Sequence, residues 1–382
     1  LLGYVESTQK GALHHLRNFV RRSAGDALII DRASLRNLEI ERAADGSRST
    51  SLVAVLDHTS TRMGSRLLRD WVTVPSIDIE EIGERQRAVA ELVEDADLLG
   101  AMTAALDGLP DLERLAGRVG MAFATPRELA TLRSALGMLP GLVKTAERAT
   151  SPRMRQLGAD LDPLTDLHEI LRTRLAGEPP HAVGPGTIAT GWDAELDEQR
   201  KLARGGKELL AGIESTERDR TGISTLKIKY NRVFGYFLEV SKSHVDRVPA
   251  NYERRQTLTN AERYVTPELK ELEAKILAAE ELSNSREREL FADLLDELST
   301  HARRIAVTAG MVAQLDVLTA FADRARRFNY CRPVIEEETG IFITEGRHPV
   351  LEQVQRDPPF IPNDTDLDSG RSRIVLLTGP NM

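Results

Sequence analysis

Eight cations crowd one stretch of this sequence: Lys227, Lys229, Arg232, Lys242, Arg247, Arg254, Arg255 and Arg263. Only Glu239, Asp246, Glu253 and Glu262 oppose them there, leaving a local surplus of +4 in a chain whose net charge is −8. Cations where a polyanion would sit, with repulsion elsewhere, are what backbone phosphate binding requires. Thr257 and Asn260 can add neutral hydrogen bonds to phosphate oxygens. A solvated strand face would carry the same residues, and spacing alone leaves both readings open. No recognition-helix or zinc-finger pattern accompanies the cations, so nothing here points to reading of base sequence.

A second constellation closes the chain, Ile374-Val-Leu-Leu-Thr-Gly-Pro-Asn-Met382. A buried strand running into Thr378-Gly379 is how a phosphate-cradling loop begins. An ordinary strand-to-turn exit begins the same way. The complete loop needs a second glycine five residues after Gly379, followed by Lys and Ser or Thr, and no such residues stand in this sequence. Those groups hold the phosphates and Mg²⁺, so the chain by itself is expected not to hydrolyse ATP. His348, directly before Pro349, reads as a turn residue. Phe360 is either a core aromatic or a face on which a nucleotide base stacks. No nucleophile–histidine–carboxylate set stands out, so no catalytic residue is assigned. The eight histidines show no ligand spacing with one another or with Cys331, so no metal site is assigned either.

The elements that must position these residues are mostly helices. Ile82, Val89 and Leu92, then Leu129, Leu132, Leu136 and Leu139, recur at helical spacing. Ser76 to Asp78 and Thr125-Pro126 read as helix starts, and Gly108, Gly137 and Pro140 as punctuation. The proline-rich stretch 177–190 reads as a surface loop. A long helix is predicted from about Asp193 to Arg220, striped by Leu196, Ala203, Leu210 and Ile213. A second starts at Thr266-Pro267 and runs without a stop to about Phe328, roughly 90 Å at 1.5 Å per residue. That length implies an extended arm with the two helices antiparallel. Between them Leu226, Ile228 and Tyr230 alternate with Lys227 and Lys229, and Phe234, Tyr236, Leu238 and Val240 repeat the alternation after a turn at Asn231-Arg232. This is the period of half-buried strands, and it puts a small sheet at the tip of the arm. Cys331-Arg332-Pro333 should break the second helix, after which Gly340 to Thr344 and Ile374 to Leu377 read as strands of an α/β unit. Residues 1–30 read as the end of a preceding unit, with a helix over Gly3 to Phe19 and a short strand from Ala27.

Composition sets the outer limits. The 382 residues, 41% hydrophobic and 29% charged but only 4% aromatic, suit two or three helix-rich domains. No run reaches the roughly 18 apolar residues of a membrane helix, and no signal peptide opens the chain. One cysteine excludes an internal disulfide framework and fits a reducing cytoplasm. The first residue is not Met and the last lie in mid-motif, so the chain reads as a piece cut at both ends.

Six segments then combine in order. They are Asp31-Arg-Ala-Ser-Leu-Arg-Asn-Leu-Glu-Ile40, Met63-Gly-Ser-Arg-Leu-Leu68, Tyr252-Glu-Arg-Arg-Gln-Thr-Leu-Thr-Asn-Ala-Glu-Arg-Tyr264 with Pro267-Glu-Leu-Lys270, Ile343-Thr-Glu-Gly-Arg-His-Pro-Val-Leu-Glu352, Phe360-Ile-Pro-Asn-Asp364, and Leu377-Thr-Gly-Pro-Asn-Met382. Together they resemble the MutS family of DNA mismatch-repair ATPases across nearly the whole chain. The resemblance implies a mainly α fold: a long helical lever arm with a small β-rich clamp at its tip, then the first strands of an α/β P-loop ATPase domain, truncated in its phosphate loop. On that division residues 1–30 end a connector, 31–205 begin the lever, 206–275 form the DNA clamp, 276–330 return the lever, and 331–382 open the ATPase domain.

The resemblance also implies function. A homodimer would enclose mismatched double-stranded DNA between crossed levers in a bacterial or archaeal cytosol, use ATP and Mg, and pass its signal to a MutL-type downstream repair factor, with no membrane involved. Arg254, Arg255, Asn260 and Arg263 lead as DNA contacts, followed by Lys227, Lys229 and Arg232. Phe360 and Ile361 would border the adenine, and Gly379, Pro380, Asn381 and Met382 would form the first half of the phosphate loop. Thr259 stands where a further basic clamp residue is expected. The family's mismatch-reading module with its Phe-x-Glu wedge lies outside this sequence, as do the Mg²⁺-binding acids and the dimerising part. Two other readings accommodate the same arm: a MutS relative that handles recombination intermediates, and a non-enzymatic DNA-binding scaffold.

Overall fold

The computed structural model describes residues 27–231, 233, 235–354, 359–370 and 372–376. It divides into two compact units, one built from residues 27–124, 131–168 and 298–376, the other from 125–130 and 169–297. Most described residues are helical, with a small antiparallel sheet in the second unit. The helix expected over Gly3 to Phe19 lies outside the described residues.

The opening helices of the first unit are α1 (Arg32–Asn37), α2 (Leu52–Leu56), α3 (Arg62–Thr73), α4 (Ile79–Glu94), α5 (Ala96–Leu106) and α6 (Leu112–Gly120). Each is started by a side-chain oxygen that accepts a first-turn backbone N–H: Asp31, Ser51, Thr61, Asp78, Asp95 and Asp111 in turn. These caps answer the orphan donors that open every helix, each worth about 1 kcal/mol. Next come α7 (Pro126–Ala146), α8 (Pro152–Asp160), α9 (Thr165–Arg174), α10 (Ala194–Thr221), α11 (Pro267–Thr300) and α12 (Ala302–Phe328). Helix α12 packs against α3, α4, α5 and α6 and buries Ile305, Val312, Leu315 and Leu318 among residues such as Leu68, Leu92, Met102 and Leu112.

One carboxylate pins that packing. Asp316 on α12 is 1% exposed. It accepts the Ser60 N–H at 2.9 Å, and the Thr61 N–H and hydroxyl at 2.8 and 2.6 Å, while the Thr61 hydroxyl oxygen accepts the Gly64 N–H at 2.9 Å. Burial pushes the Asp316 carboxyl above its ordinary range, and the bonds from Thr61 and Ser60 only partly oppose this. The approach is so close that a Cβ on Gly64 would overlap the Asp316 carboxylate.

The second unit holds the sheet strands β1 (Lys227–Asn231), β2 (Gly235–Ser241), β3 (Glu253–Thr257) and β4 (Ala261–Val265). They run antiparallel in the order β1-β2-β4-β3. Helix α10 precedes the sheet, capped by Asp193 and closed by Gly222 in the left-handed region (φ 67°). Helix α11 follows it, with Thr266 accepting the Leu269 N–H as the spacing predicts. Glu287, fully buried on α11, accepts backbone N–H groups from Gly186, Thr187 and Ile188 at 2.9, 2.8 and 3.0 Å and one from the Arg200 guanidinium at 2.6 Å. The 177–190 loop is thereby fastened to both long helices.

Several expectations are corrected. The returning helix is two helices, because His301 (φ −97°, ψ 1°) turns its N–H to Leu298 O three residues back. Ser299, Thr300 and His301 are three successive middling helix formers, which makes this a weak point in the ladder. Asn329 stops α12, adopting the left-handed conformation (φ 51°) before Cys331-Arg332-Pro333 is reached. Gly137 and Pro140 do not punctuate; both lie inside α7, whose Leu136, Leu139 and Leu142 are wholly buried. Burial outweighs the local cost, and Gly137 leaves room for the His168 imidazole. Ala27 makes only an isolated bridge to Ser76, and the described residues 374–376 form no strand, for want of a paired neighbour. Strand β5 (Gly340–Gly346) does form, pairing antiparallel with β6 (Asn363–Asp368) across the one-turn helix α13 (Leu351–Val354). Against the expectation of no membrane-length apolar run, α12 is by length and composition apolar enough to cross a membrane, yet 67% of its most apolar window is buried in the fold.

Replacing Gly64 by Ala is expected to cost about 1–3 kcal/mol in urea unfolding, because the added methyl displaces the Asp316 carboxylate. In an Asp316→Ala background the same change should be neutral or stabilising, since the space is then open and Ala favours the helix. Equal costs in both backgrounds would show that the two residues do not meet.

Candidate nucleic-acid interface

The tip sheet rests on its own core. Leu226, Leu238, Val240, Tyr252 and Tyr264 pack with Leu210 of α10 and Leu269 and Ile276 of α11. The alternation read from the sequence holds in placing Leu226, Leu238 and Val240 inward and Lys227 and Lys229 outward, but Tyr230 is 53% exposed and Phe237 is buried on the outward face; Phe234 lies outside the described residues.

Register decides which cations meet. Lys227 stands opposite Glu239, Glu239 opposite Arg263 and Arg263 opposite Gln256, a row across all four strands. Lys229 stands opposite Phe237 on the same face. Lys227, Lys229 and Arg263 are thus brought together. Arg254 is not: it pairs in register with the core residue Tyr264 and belongs to the other face. Arg255 sits at the bulge between Arg254 and Gln256. Asn260 is exposed in the turn joining β3 to β4, where its carbonyl accepts the Lys242 N–H at 3.1 Å. Arg232 lies outside the described residues.

Glu239 is the residue that sequence reasoning undervalued. Its two oxygens lie 2.7 Å from Lys229 Nζ and 3.7 Å from Arg263 Nε. Arg263 also donates to Gln256 Oε1 at 2.7 Å, and its guanidinium lies 4.4 Å from the centre of the Phe237 ring. Phe237 is 2% exposed, so this face is a packed platform and not merely a solvated one. Arg254 reaches Glu262 at 3.7 Å and Arg255 reaches Glu253 at 3.5 Å. Lys270, then Arg255, hold the Glu253 carboxyl below its usual range. Lys227 is exposed and makes no ion pair among the described residues. Only strand register could have revealed the Glu239 position: an acid two residues after Phe237 looks solvent-facing until Arg263 is placed beside it.

Two buried tyrosine–carboxylate pairs stiffen the sheet from below. Tyr252 donates to Glu217 at 2.6 Å and Tyr264 to Glu262 at 2.5 Å, with the two rings 5.8 Å apart. Burial, then the bond to Glu262, pushes the Tyr264 hydroxyl up to about 12.

At the other candidate region Phe360 is half-buried, its ring 6.5 Å from that of His348, and Ile361 is 76% exposed. Gly379, Pro380, Asn381 and Met382 lie outside the described residues.

Residues 33–322 match the family described as MutS domain III. The chain belongs to the MutS family. Over its full length it is 42% identical to the DNA mismatch repair protein MutS of Symbiobacterium thermophilum, 41% to that of Syntrophobacter fumaroxidans and 42% to that of Pelotomaculum thermopropionicum. It spans 44%, 43% and 45% of those relatives' lengths. The domain III match takes in the tip sheet and its core, so the packed cationic platform belongs to the part of the chain that carries the family assignment.

The Tyr264 pair gives this sheet a pH signature. A hydroxyl whose pKa is raised on folding supplies stability that is complete below the unfolded value near 10 and is lost as pH rises toward about 12. Tyr264→Phe should therefore destabilise the protein by an amount that is constant up to about pH 9 and shrinks above pH 10. Urea unfolding of both proteins from pH 8 to 11 tests this, and a pH-independent difference would refute it.

Proposed function

We propose that this chain is the lever and clamp portion of a MutS-type mismatch-repair ATPase, and that its tip sheet grips the backbone of double-stranded DNA without reading sequence. The observation that carries this reading is the convergence of Lys227, Lys229 and Arg263 on one face of a rigid sheet within a MutS-family chain. Coulombic attraction to phosphates needs no base-specific geometry, and release of counterions supplies the driving force. Glu239 holds Lys229 and Arg263 in place while no phosphate is present; arriving phosphates exchange with that carboxylate as partner. Arg255 and Asn260, at the bulge and turn, extend the contact along the edge strand β3, around which the exposed Arg254 reaches from the other face, and Arg232 belongs to the same set by its place in the sequence. The described structure supports a division in which the clamp is the sheet with its flanking helix ends. The 31–205 and 276–330 segments would be the lever, 1–30 the end of a connector and 331–382 the start of the ATPase domain.

In the full-length protein the reading extends to a homodimer around mismatched DNA, to hydrolysis of ATP with Mg, and to a MutL-type downstream repair factor. Phe360 and Ile361 offer an aromatic edge and an exposed aliphatic side chain, which suit the flank of an adenine. The phosphates and Mg are another matter: the Lys and hydroxyl residue that would hold them do not occur after Gly379 in this sequence. These residues can border a base but cannot complete a phosphate site.

Two measurements test the reading. Arg254→Ala combined with Arg255→Ala in the full-length protein should weaken duplex binding and lower the salt slope by about 2, one unit per lost phosphate contact. An unchanged slope would mean these arginines do not meet phosphate. The 382-residue chain alone should show no ATP turnover above background, whereas the full-length protein should turn over; robust turnover by the chain alone would overturn the account of its phosphate loop.

A further inference from the structure

We propose that Glu273 on α11 is a positioning residue that latches the β1–β2 hairpin, and with it Lys227 and Lys229, in the geometry that meets DNA; this rests on the reading that the tip sheet grips phosphates. The Tyr236 N–H, at the start of β2, donates to Glu273 Oε1 at 2.9 Å. Gly235 immediately before it takes φ +72°, a conformation that favours glycine, and a Cβ there would overlap the Glu273 carboxylate. Both the backbone angle and the space at residue 235 are therefore fitted to that carboxylate. The hairpin is tied together above the latch, where the tilted rings of Tyr230 and Tyr236 meet with centres 5.0 Å apart. One helical turn further along α11, Ile276 packs against Gly206 of α10 so closely that a Cβ on that glycine would overlap it. The stretch of helix that carries the latch is thus itself held.

Glu273 makes no ion pair among the described residues, which makes its presence informative. An unpaired carboxylate beside a polyanion-binding surface opposes binding by simple repulsion. Among the described residues its one compensating interaction is acceptance of the hairpin N–H. The two effects have opposite signs, and substitutions separate them: Gln keeps the acceptor and loses the charge, Ala loses both.

The experiment compares Glu273→Gln and Glu273→Ala in the full-length protein, reading duplex DNA affinity between 50 and 200 mM salt and hydrogen exchange over residues 227–241. Glu273→Gln should leave exchange slow and bind DNA as well as the parent or better. Glu273→Ala should speed exchange in the hairpin and weaken binding about three- to tenfold, with the salt slope reduced by one to two. Thermal unfolding of both variants reports whether the fold is intact. If Glu273→Ala binds DNA as tightly as Glu273→Gln, the carboxylate only repels phosphate and the latch is wrong. If the hairpin loosens but binding holds, the latch does not serve DNA binding and the proposal also fails. Lys227→Ala, on the face that the latch serves, reports separately on whether that face meets phosphate: an unchanged salt slope there sinks the grip, whereas a reduced one with a normal Glu273→Ala sinks only the latch.

Discussion

A carboxylate withdrawn from water costs several kcal/mol unless hydrogen-bond donors replace the water it has lost. Each unit of this chain buries at least one under that condition. Asp316 holds the start of α3 by accepting from Ser60 and Thr61, and Glu287 holds the 177–190 loop by accepting three successive N–H groups and the Arg200 guanidinium. Apolar packing alone would let neighbouring helices settle in several registers, since Leu against Leu is tolerant of small shifts. A buried carboxylate is not tolerant, because a displacement of one residue leaves it without donors. The glycines confirm how tightly these contacts are set: Gly64 meets Asp316 where no side chain would fit.

The tip sheet follows a related logic with opposite exposure. Its cations are nearly all provided with carboxylates, Lys229 and Arg263 with Glu239, Arg254 with Glu262, Arg255 with Glu253. The more exposed of these pairs, Lys229 with Glu239 and Arg255 with Glu253, contribute little stability. Their consequence is orientation: they keep long side chains from wandering and let a phosphate displace a partner instead of ordering a free chain. Lys227, exposed on the same face and without an ion pair among the described residues, is then the natural first point of attraction for the proposed grip. A surface of this kind favours many weak, exchangeable backbone contacts over a few rigid ones, as suits the sequence-independent grip proposed for it.

Much of this was legible in the residues. Alternation of Lys227 and Lys229 with Leu226 and Ile228 gave the first strand and its faces, and Thr266-Pro267 and Asp193 gave the starts of both long helices. The failures have separate physical origins. Pro140 and Gly137 remain helical because Leu136, Leu139 and Leu142 are buried, and His301 breaks a helix with no proline or glycine to announce it. Tertiary packing overrides local preference in the first case, and a weak point in the backbone ladder yields in the second. Ile374 to Leu376 is apolar enough for a strand, but a strand exists only with a partner, and none pairs with it among the described residues. At the interface, residue types supplied the cations while only register could assign Glu239 to Lys229 and Arg263 or separate Arg254 from the shared face.

Helix α11 draws these features together within the second unit. Glu273, Ile276, Glu280, Ser283 and Glu287 recur at spacings of three and four and therefore form one stripe along it. The stripe begins at the hairpin amide of Tyr236 and ends at the amides of Gly186, Thr187 and Ile188, 14 residues or about 21 Å away. Both ends are carboxylates bound to backbone N–H groups, and the middle is interlocked with Gly206 of α10. A helix anchored by directional bonds at both ends of one face cannot slide or rotate by part of a turn without losing several of them together. Motion imposed on it must be carried to the hairpin as a rigid displacement or must break the latch at Glu273. Those two outcomes are discrete, which is what the clamp proposed for this sheet, either holding or releasing, would require of the element beneath it.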